Sequence, residues 1–185
     1  MANFTKKALI ESFLELIEEK PLNKITVKDI TAHCQVNRNT FYYHFQDIPE
    51  LIETLVCEDA ESIIESAPEI ESLEQCLDIA VSFALKRRRV MYHIYHSTER
   101  AIFEHHLWVT CEKILTRYYD MAISSYNIND SDRYVIIEYY KCLCFGVVIS
   151  SLERGIEDDI RPMIHRICEL KKGALEDMIK NCANS

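Results

Sequence analysis

Along almost the whole chain, apolar residues recur at the three- and four-residue spacing of a helix with one buried side. Over 4–19 the stripe is Leu9, Phe13, Leu16 and Ile17, and Lys20-Pro21 closes it. Thr26 follows as an N-cap, with Asp29 three residues on to favour the positive end of a second helix. The inward row of that helix is Val27, Ile30 and Cys34. A break at Gln35-Val36 leads straight to another N-cap, Asn37, and a short helix over 38–45. Val36 and Phe41 stand either side of this cap at the spacing of a hydrophobic staple. Asp47 caps a fourth helix, with Pro49 in its first turn, where a missing N–H costs nothing. It runs to about residue 66, and Pro68 punctuates it. Further helical periods cover 72–88, 89–97, 99–125, 131–154 and 159–182. Between them Asn127 to Asp130 is a polar loop, Ser131 a cap and Gly155 a helix end. The pattern predicts an all-α fold of about nine helices: an N-terminal three-helix module over 1–49 and a larger helical bundle over 50–185.

Composition agrees. Only 3 Gly and 4 Pro occur in 185 residues, too few for a fold rich in hairpins, while 48% hydrophobic residues suffice for a sizeable core. The N-terminus is amphipathic rather than leader-like, and the longest apolar run, Cys142 to Ile149, falls far short of the ~20 residues of a membrane span. The expectation is a soluble cytoplasmic protein without a membrane partner. In that reducing compartment the 8 cysteines read as free, mostly buried thiols. The net charge of -9 first argues against a polyanionic partner, but residues 1–49 carry six Lys or Arg against six acids. The entire excess of acid therefore lies beyond the N-terminal module, and only a surface facing phosphates needs to be positive.

Two short helices joined by a tight turn suit a helix-turn-helix, whose second helix enters the major groove of DNA. On a helical wheel at ~100° per residue, Phe45 falls beside Phe41 on the inner side of helix 38–45. Asn39 and Tyr43 lie nearly opposite, with Arg38 and Tyr42 on one flank and Thr40 and His44 on the other. Every outward position can hydrogen-bond. Asn reads adenine bidentately, Thr meets a thymine methyl, and Tyr, His and Arg reach phosphates. The alternative is a packed helical corner, but Tyr42, Tyr43 and His44 cannot all be buried on so short a helix that also exposes Asn39.

The stretch ITVKDITAHCQVNRNTFYYHFQDIPELI resembles the TetR family signature, a T-V-x-x-I segment before V-x-x-x-T-x-Y-x-H-F and a D-x-x-x-L helix opening. The likeness covers about residues 5–55 and is similar to the branch linked to dihydroxyacetone-kinase regulation. It implies backbone contacts from Thr26 and Lys28, base contacts from Arg38, Asn39, Thr40 and Tyr43, and phosphate contacts from Tyr42 and His44. Two positions depart from the pattern. Gln35 stands where the turn usually has Gly, and Ile48 stands where Lys is common. The first implies backbone strain, and the second removes one phosphate contact.

The resemblance further implies a transcriptional regulator, a repressor with an activator as the alternative, that works as a homodimer on a palindromic operator under control of a small-molecule effector held by residues 50–185. Aromatic residues with polar tips, Tyr92, Tyr95, Phe103, Trp108, Tyr118, Tyr119 and Tyr140, are candidate walls of the effector pocket. Cys142, Gly146 and Ser150 form a small-residue stripe, with Tyr139, Leu143, Val147 and Ile149 around it, that suits a partner helix; packing within one subunit is the alternative. No cofactor loop or catalytic motif occurs, so neither enzyme activity nor a cofactor is expected. His93-x-x-His96, His105 and Cys111 invite a metal-sensing reading, and the thiols a redox-sensing one, but scattered His and Cys pair by chance and no metal is expected. The run Lys86 to Arg89 reads as cations ending a helix. A helical ligand carrier or enzyme without DNA binding is the competing class.

Overall fold

The computed structural model describes residues 2–66, 72–85, 87–122, 128–155 and 160–183. Within them are ten α-helices: α1 (Ala2–Glu19), α2 (Val27–His33), α3 (Arg38–His44), α4 (Ile48–Ser66), α5 (Leu73–Leu85), α6 (Arg88–Tyr95), α7 (Arg100–Ala122), α8 (Asp130–Glu153), α9 (Arg161–Leu170) and α10 (Ala174–Ala183). One short 3-10 turn, Leu22–Lys24, precedes α2. The described residues contain no strand. The turn expected at Pro68, residues 123–125 of the helix expected over 99–125, and Asn127 of the polar loop lie outside the described residues.

Local signals set most of the boundaries. The Thr26 hydroxyl accepts the Asp29 N–H at 3.2 Å while the Asp29 carboxylate accepts the Thr26 N–H at 2.9 Å, a capping box at the start of α2. The Thr26 hydroxyl also donates to the Asp29 carboxylate at 2.7 Å, and this bond, with the Thr26 N–H and Lys20 at 3.2 Å, holds the Asp29 carboxyl below the usual carboxylate range. The Asp47 carboxylate accepts the Glu50 N–H at 2.9 Å at the head of α4. Two expectations are corrected. Asn129, not Ser131, caps α8, its side chain taking the Asp132 N–H at 2.9 Å. The period over 159–182 predicts one helix, yet α9 and α10 separate at Gly173, whose φ of 85 no side-chain-bearing residue adopts cheaply.

By packing, the chain divides into two compact units, Met1–Asp59 with Arg87–His106, and Ala60–Lys86 with Leu107–Ser185. In the first unit α1 lies against α2 and α6, and α2 against α3. Leu9, Phe13 and Ile17 of α1, Ile30 of α2, Phe41 of α3, Leu51 and Ile52 of α4, and Met91 and Ile94 of α6 are fully buried. Each such side chain contributes roughly 1.5–3 kcal/mol. The α1 stripe is buried as its spacing predicts; in the α2 row Val27 and Cys34 are only half-buried.

The basic run does not end a helix. Lys86 lies outside the described residues, α5 stops at Leu85, and Arg88 and Arg89 open α6 at its positive end. Carboxylates answer two of these charges: Arg87 donates to the buried Asp59 at 2.8 Å, and Arg89 pairs with Glu18 at 3.7 Å.

In the second unit α5 packs on α8 and α9. Its core includes Leu77, Phe83, Leu115, Tyr119, Tyr140, Val148 and Ile164. Lys141, 3% exposed, is held by Glu112 at 3.5 Å and by Glu138, with its ammonium 4.3 Å from the Trp108 ring. Burial pulls its pKa down, but the Glu138 hydrogen bond and the two carboxylate charges outweigh this, so the net direction is up. As one helix, α8 has the length and mean hydropathy, 1.6, of a candidate membrane span, which a count of uninterrupted apolar residues misses. Half of that window is buried inside the protein, as in the core helix of a bundle.

Candidate nucleic-acid interface

The turn between α2 and α3 is a Schellman motif: the Val36 N–H reaches the Thr31 carbonyl at 2.9 Å and the Gln35 N–H the Ala32 carbonyl at 3.3 Å. The motif needs a left-handed residue, and Gln35 supplies it with φ 55, the one positive φ outside glycine among the described residues. That conformation costs a side-chain-bearing residue roughly 1–2 kcal/mol. Gln35→Gly removes this cost but frees the unfolded chain, a loss of roughly 0.4–1 kcal/mol. The expected net result is a rise in the urea midpoint worth up to about 1 kcal/mol; a lower midpoint would show that the Gln35 side chain stabilises the turn.

Past the turn, Asn37 caps α3 by accepting the Asn39 N–H at 2.9 Å. Phe41 is 0% exposed and Phe45 2%, their rings 5.6 Å apart, as the helical wheel predicts. Opposite them Tyr43 is 78% exposed, Tyr42 45%, and Arg38 and Asn39 are also exposed, with Thr40 and His44 half-buried. The Arg38 guanidinium donates to the Tyr42 hydroxyl oxygen at 2.9 Å through Nη2 and 3.3 Å through Nε. This pairing, which the wheel shows only as a shared flank, leaves the Tyr42 O–H free to donate outward from beside a fixed cation. The Tyr43 and His44 rings meet edge-on at 5.0 Å. Lys28 of α2 is exposed, and Thr26 is exposed although its hydroxyl serves the cap. The face therefore presents amide, hydroxyl, guanidinium and imidazole groups together.

Ile48 is half-buried rather than exposed. With Pro49, Pro21 and Leu22 it walls a hollow of ≈ 550 Å³ that His93 and His96 also line. Among the described residues no group of three His, Cys, Asp or Glu is placed to hold a metal ion. His105 falls in the first unit and Cys111 in the second.

The aromatic candidates for an effector pocket are divided between the two units. Tyr92, half-exposed, and the buried Tyr95 and Phe103 belong to the first unit; Trp108, Tyr118, Tyr119 and Tyr140 belong to the second. Tyr118 and Tyr140 line a hollow of ≈ 270 Å³ with Lys171 and Lys172, two residues the aromatic pattern did not suggest. On α8, Tyr139, Cys142, Gly146 and Ser150 are exposed, Leu143 and Ile149 half-buried, and Val147 buried at 7%. Val147 thus packs within its own protomer.

All eight cysteines are free thiols. Burial pushes the Cys76 and Cys111 thiols up to about 12 and Cys144 well above its ordinary value. Thiolate is the reactive form, so an alkylating reagent at about pH 8 is expected to spare Cys76, Cys111 and Cys144 until unfolding. Peptide mapping checks this; early labelling of the buried three would revive the redox reading.

Residues 9–55 match the family described as bacterial regulatory proteins, tetR family, and residues 71–173 match a transcriptional regulator C-terminal region. The HTH-type dhaKLM operon transcriptional activator DhaS of Lactococcus lactis subsp. lactis (strain IL1403) is 22% identical over 153 residues, 82% of this chain and 81% of that protein. The uncharacterized HTH-type transcriptional regulator YxbF of Bacillus subtilis (strain 168) is 36% identical over 62 residues, 33% of this chain and 16% of that one. A solved structure, dihydroxyacetone kinase operon activator DhaS, superposes with a TM-score of 0.74 at 20% identity, covering 96% of this chain and 97% of that one. That likeness carries the fold.

Proposed function

Because this chain belongs to the TetR family of transcriptional regulators, we propose that it works in the cytoplasm as a homodimer on a palindromic operator, with α3 of each protomer in the major groove. Arg38, Asn39, Thr40 and Tyr43 meet base edges; Thr26, Lys28, Tyr42 and His44 meet phosphates and set the register. The observation that carries the reading is the two-sidedness of α3: Phe41 is wholly buried while Tyr43 is 78% exposed among hydrogen-bonding neighbours. The exposed face of α8 serves the dimer. The second unit receives a small-molecule effector, which shifts operator affinity by binding two states of the dimer unequally.

A gel shift on the chain's own upstream DNA tests this. Binding should fall steeply as salt rises, and Tyr42→Phe or His44→Ala should weaken it on all sequences alike. Asn39→Ala should instead flatten base preference at one position, by about 1–3 kcal/mol of discrimination. Binding to no duplex, or binding indifferent to salt, would hand the chain to the carrier-or-enzyme class. One relative is named an operon activator, which makes activation the sign to test first. In a reporter on the chain's own promoter, deletion lowers expression for an activator and raises it for a repressor.

A further inference from the structure

At the break between α9 and α10, the consecutive residues Lys171 and Lys172 line the ≈ 270 Å³ hollow of the second unit. Among the described residues neither ammonium has a carboxylate within 4.0 Å, in a chain whose net charge is -9. Lys171 donates to the Tyr139 hydroxyl and lies 4.3 Å from the Tyr139 ring and 5.7 Å from the Tyr140 ring, so aromatic groups hold it without neutralising it. Among the described residues Glu74 is the one carboxylate in the wall, and it is hydrogen-bonded to His165 Nδ1 at 3.0 Å. That hydrogen bond, with the charges of Glu74 and Glu169, raises the proton affinity of the imidazole. The remaining walls include Tyr118, Tyr140, Leu73 and Leu175. The two ammonium groups thus share the space with two tyrosine rings and two leucines, and with the polar side chains of Ser72, Glu74 and Cys168.

We propose that this hollow is the effector site and that it takes a small organic anion, its carboxylate or phosphate head against Lys172 and Lys171 and its ring-sized apolar body against Tyr118 and Tyr140. The proposal rests on the reading that the second unit receives an effector. At ~30 Å³ per water-sized group the volume holds roughly nine non-hydrogen atoms, the scale of benzoate. An anion that draws the Lys171 ammonium inward competes with its bond to Tyr139. Tyr139 is 44% exposed on the face of α8 proposed for the dimer, so occupancy has a direct route to that face.

Calorimetry on the full chain, at matched ionic strength, tests the site with benzoate, phenyl phosphate and the neutral benzyl alcohol. Both anions should bind saturably, one per protomer, with Kd of ~1 mM or tighter for ligands of this size. Benzyl alcohol should bind about tenfold more weakly, and Lys172→Gln should weaken the anions about tenfold without changing helix content. The ratio of the two anion affinities shows which head the site prefers. No saturable heat up to about 10 mM, equal affinity for benzyl alcohol, or an unchanged Lys172→Gln would overturn the proposal. A filled site that leaves duplex affinity unchanged would overturn its role as effector site. The salt series without anion judges DNA binding separately, so the two failures are distinguishable.

Discussion

Phe41→Ala is expected to cost about 3–5 kcal/mol of stability and to abolish duplex binding. Phe41 is the one fully buried residue of α3, a helix of seven residues. A helix this short is not stable alone, because nucleation is costly and few bonds follow it. What keeps α3 in place is the Phe41 ring, packed 5.6 Å from Phe45 and edge-on to Tyr42 at the same distance. Truncation leaves a cavity and releases the face that carries Asn39 and Tyr43. Urea denaturation followed by circular dichroism measures the loss, and a gel shift measures the binding. Near-native duplex affinity in Phe41→Ala would mean that α3 is not the reading element.

Gly146→Glu should convert the dimer to monomer and lower operator affinity by roughly 10²–10⁴, the avidity lost when two linked reading heads become one. The protomer gives no reason for damage. Gly146 is exposed on α8, and a Cβ built there meets nothing within 4 Å. Within a helix glutamate is even favoured over glycine, by roughly 0.5 kcal/mol. Harm can come only from a second molecule that approaches the bare backbone closely and would have to bury a carboxylate without a partner. Size-exclusion chromatography with light scattering reads the oligomeric state. A Gly146→Glu protein that stays dimeric would move the interface off this stripe.

Both predictions draw on features visible in the sequence. The reading head was legible because its signals are local. Thr26 and Asn37 cap by bonding N–H groups two or three residues ahead, and Phe41 and Phe45 share a face through the helix repeat alone. Even the strained Gln35 could be anticipated, since the turn dictates its backbone. The second unit was less legible. Its aromatic residues mark a buried interior without saying which of them face one another. Lys171-Lys172-Gly173 carried a usable signal, paired cations at a helix-breaking glycine, but the apolar period running through 159–182 masked it.

The chain's own order of residues therefore settled the helical class, the helix-turn-helix and the inner and outer faces of α3, because backbone hydrogen bonds and the 3.6-residue repeat act over a few positions. Tertiary structure alone decided that Arg87–His106 packs with residues 1–59, that Tyr95 and Tyr140 fall in different units, that Val147 turns inward, and that two lysines meet Tyr118 and Tyr140 around one hollow. Those outcomes depend on which apolar stripes from distant segments bury one another. Burial is non-directional, so many pairings of amphipathic helices satisfy the same sequence pattern until side-chain shape and charge select one.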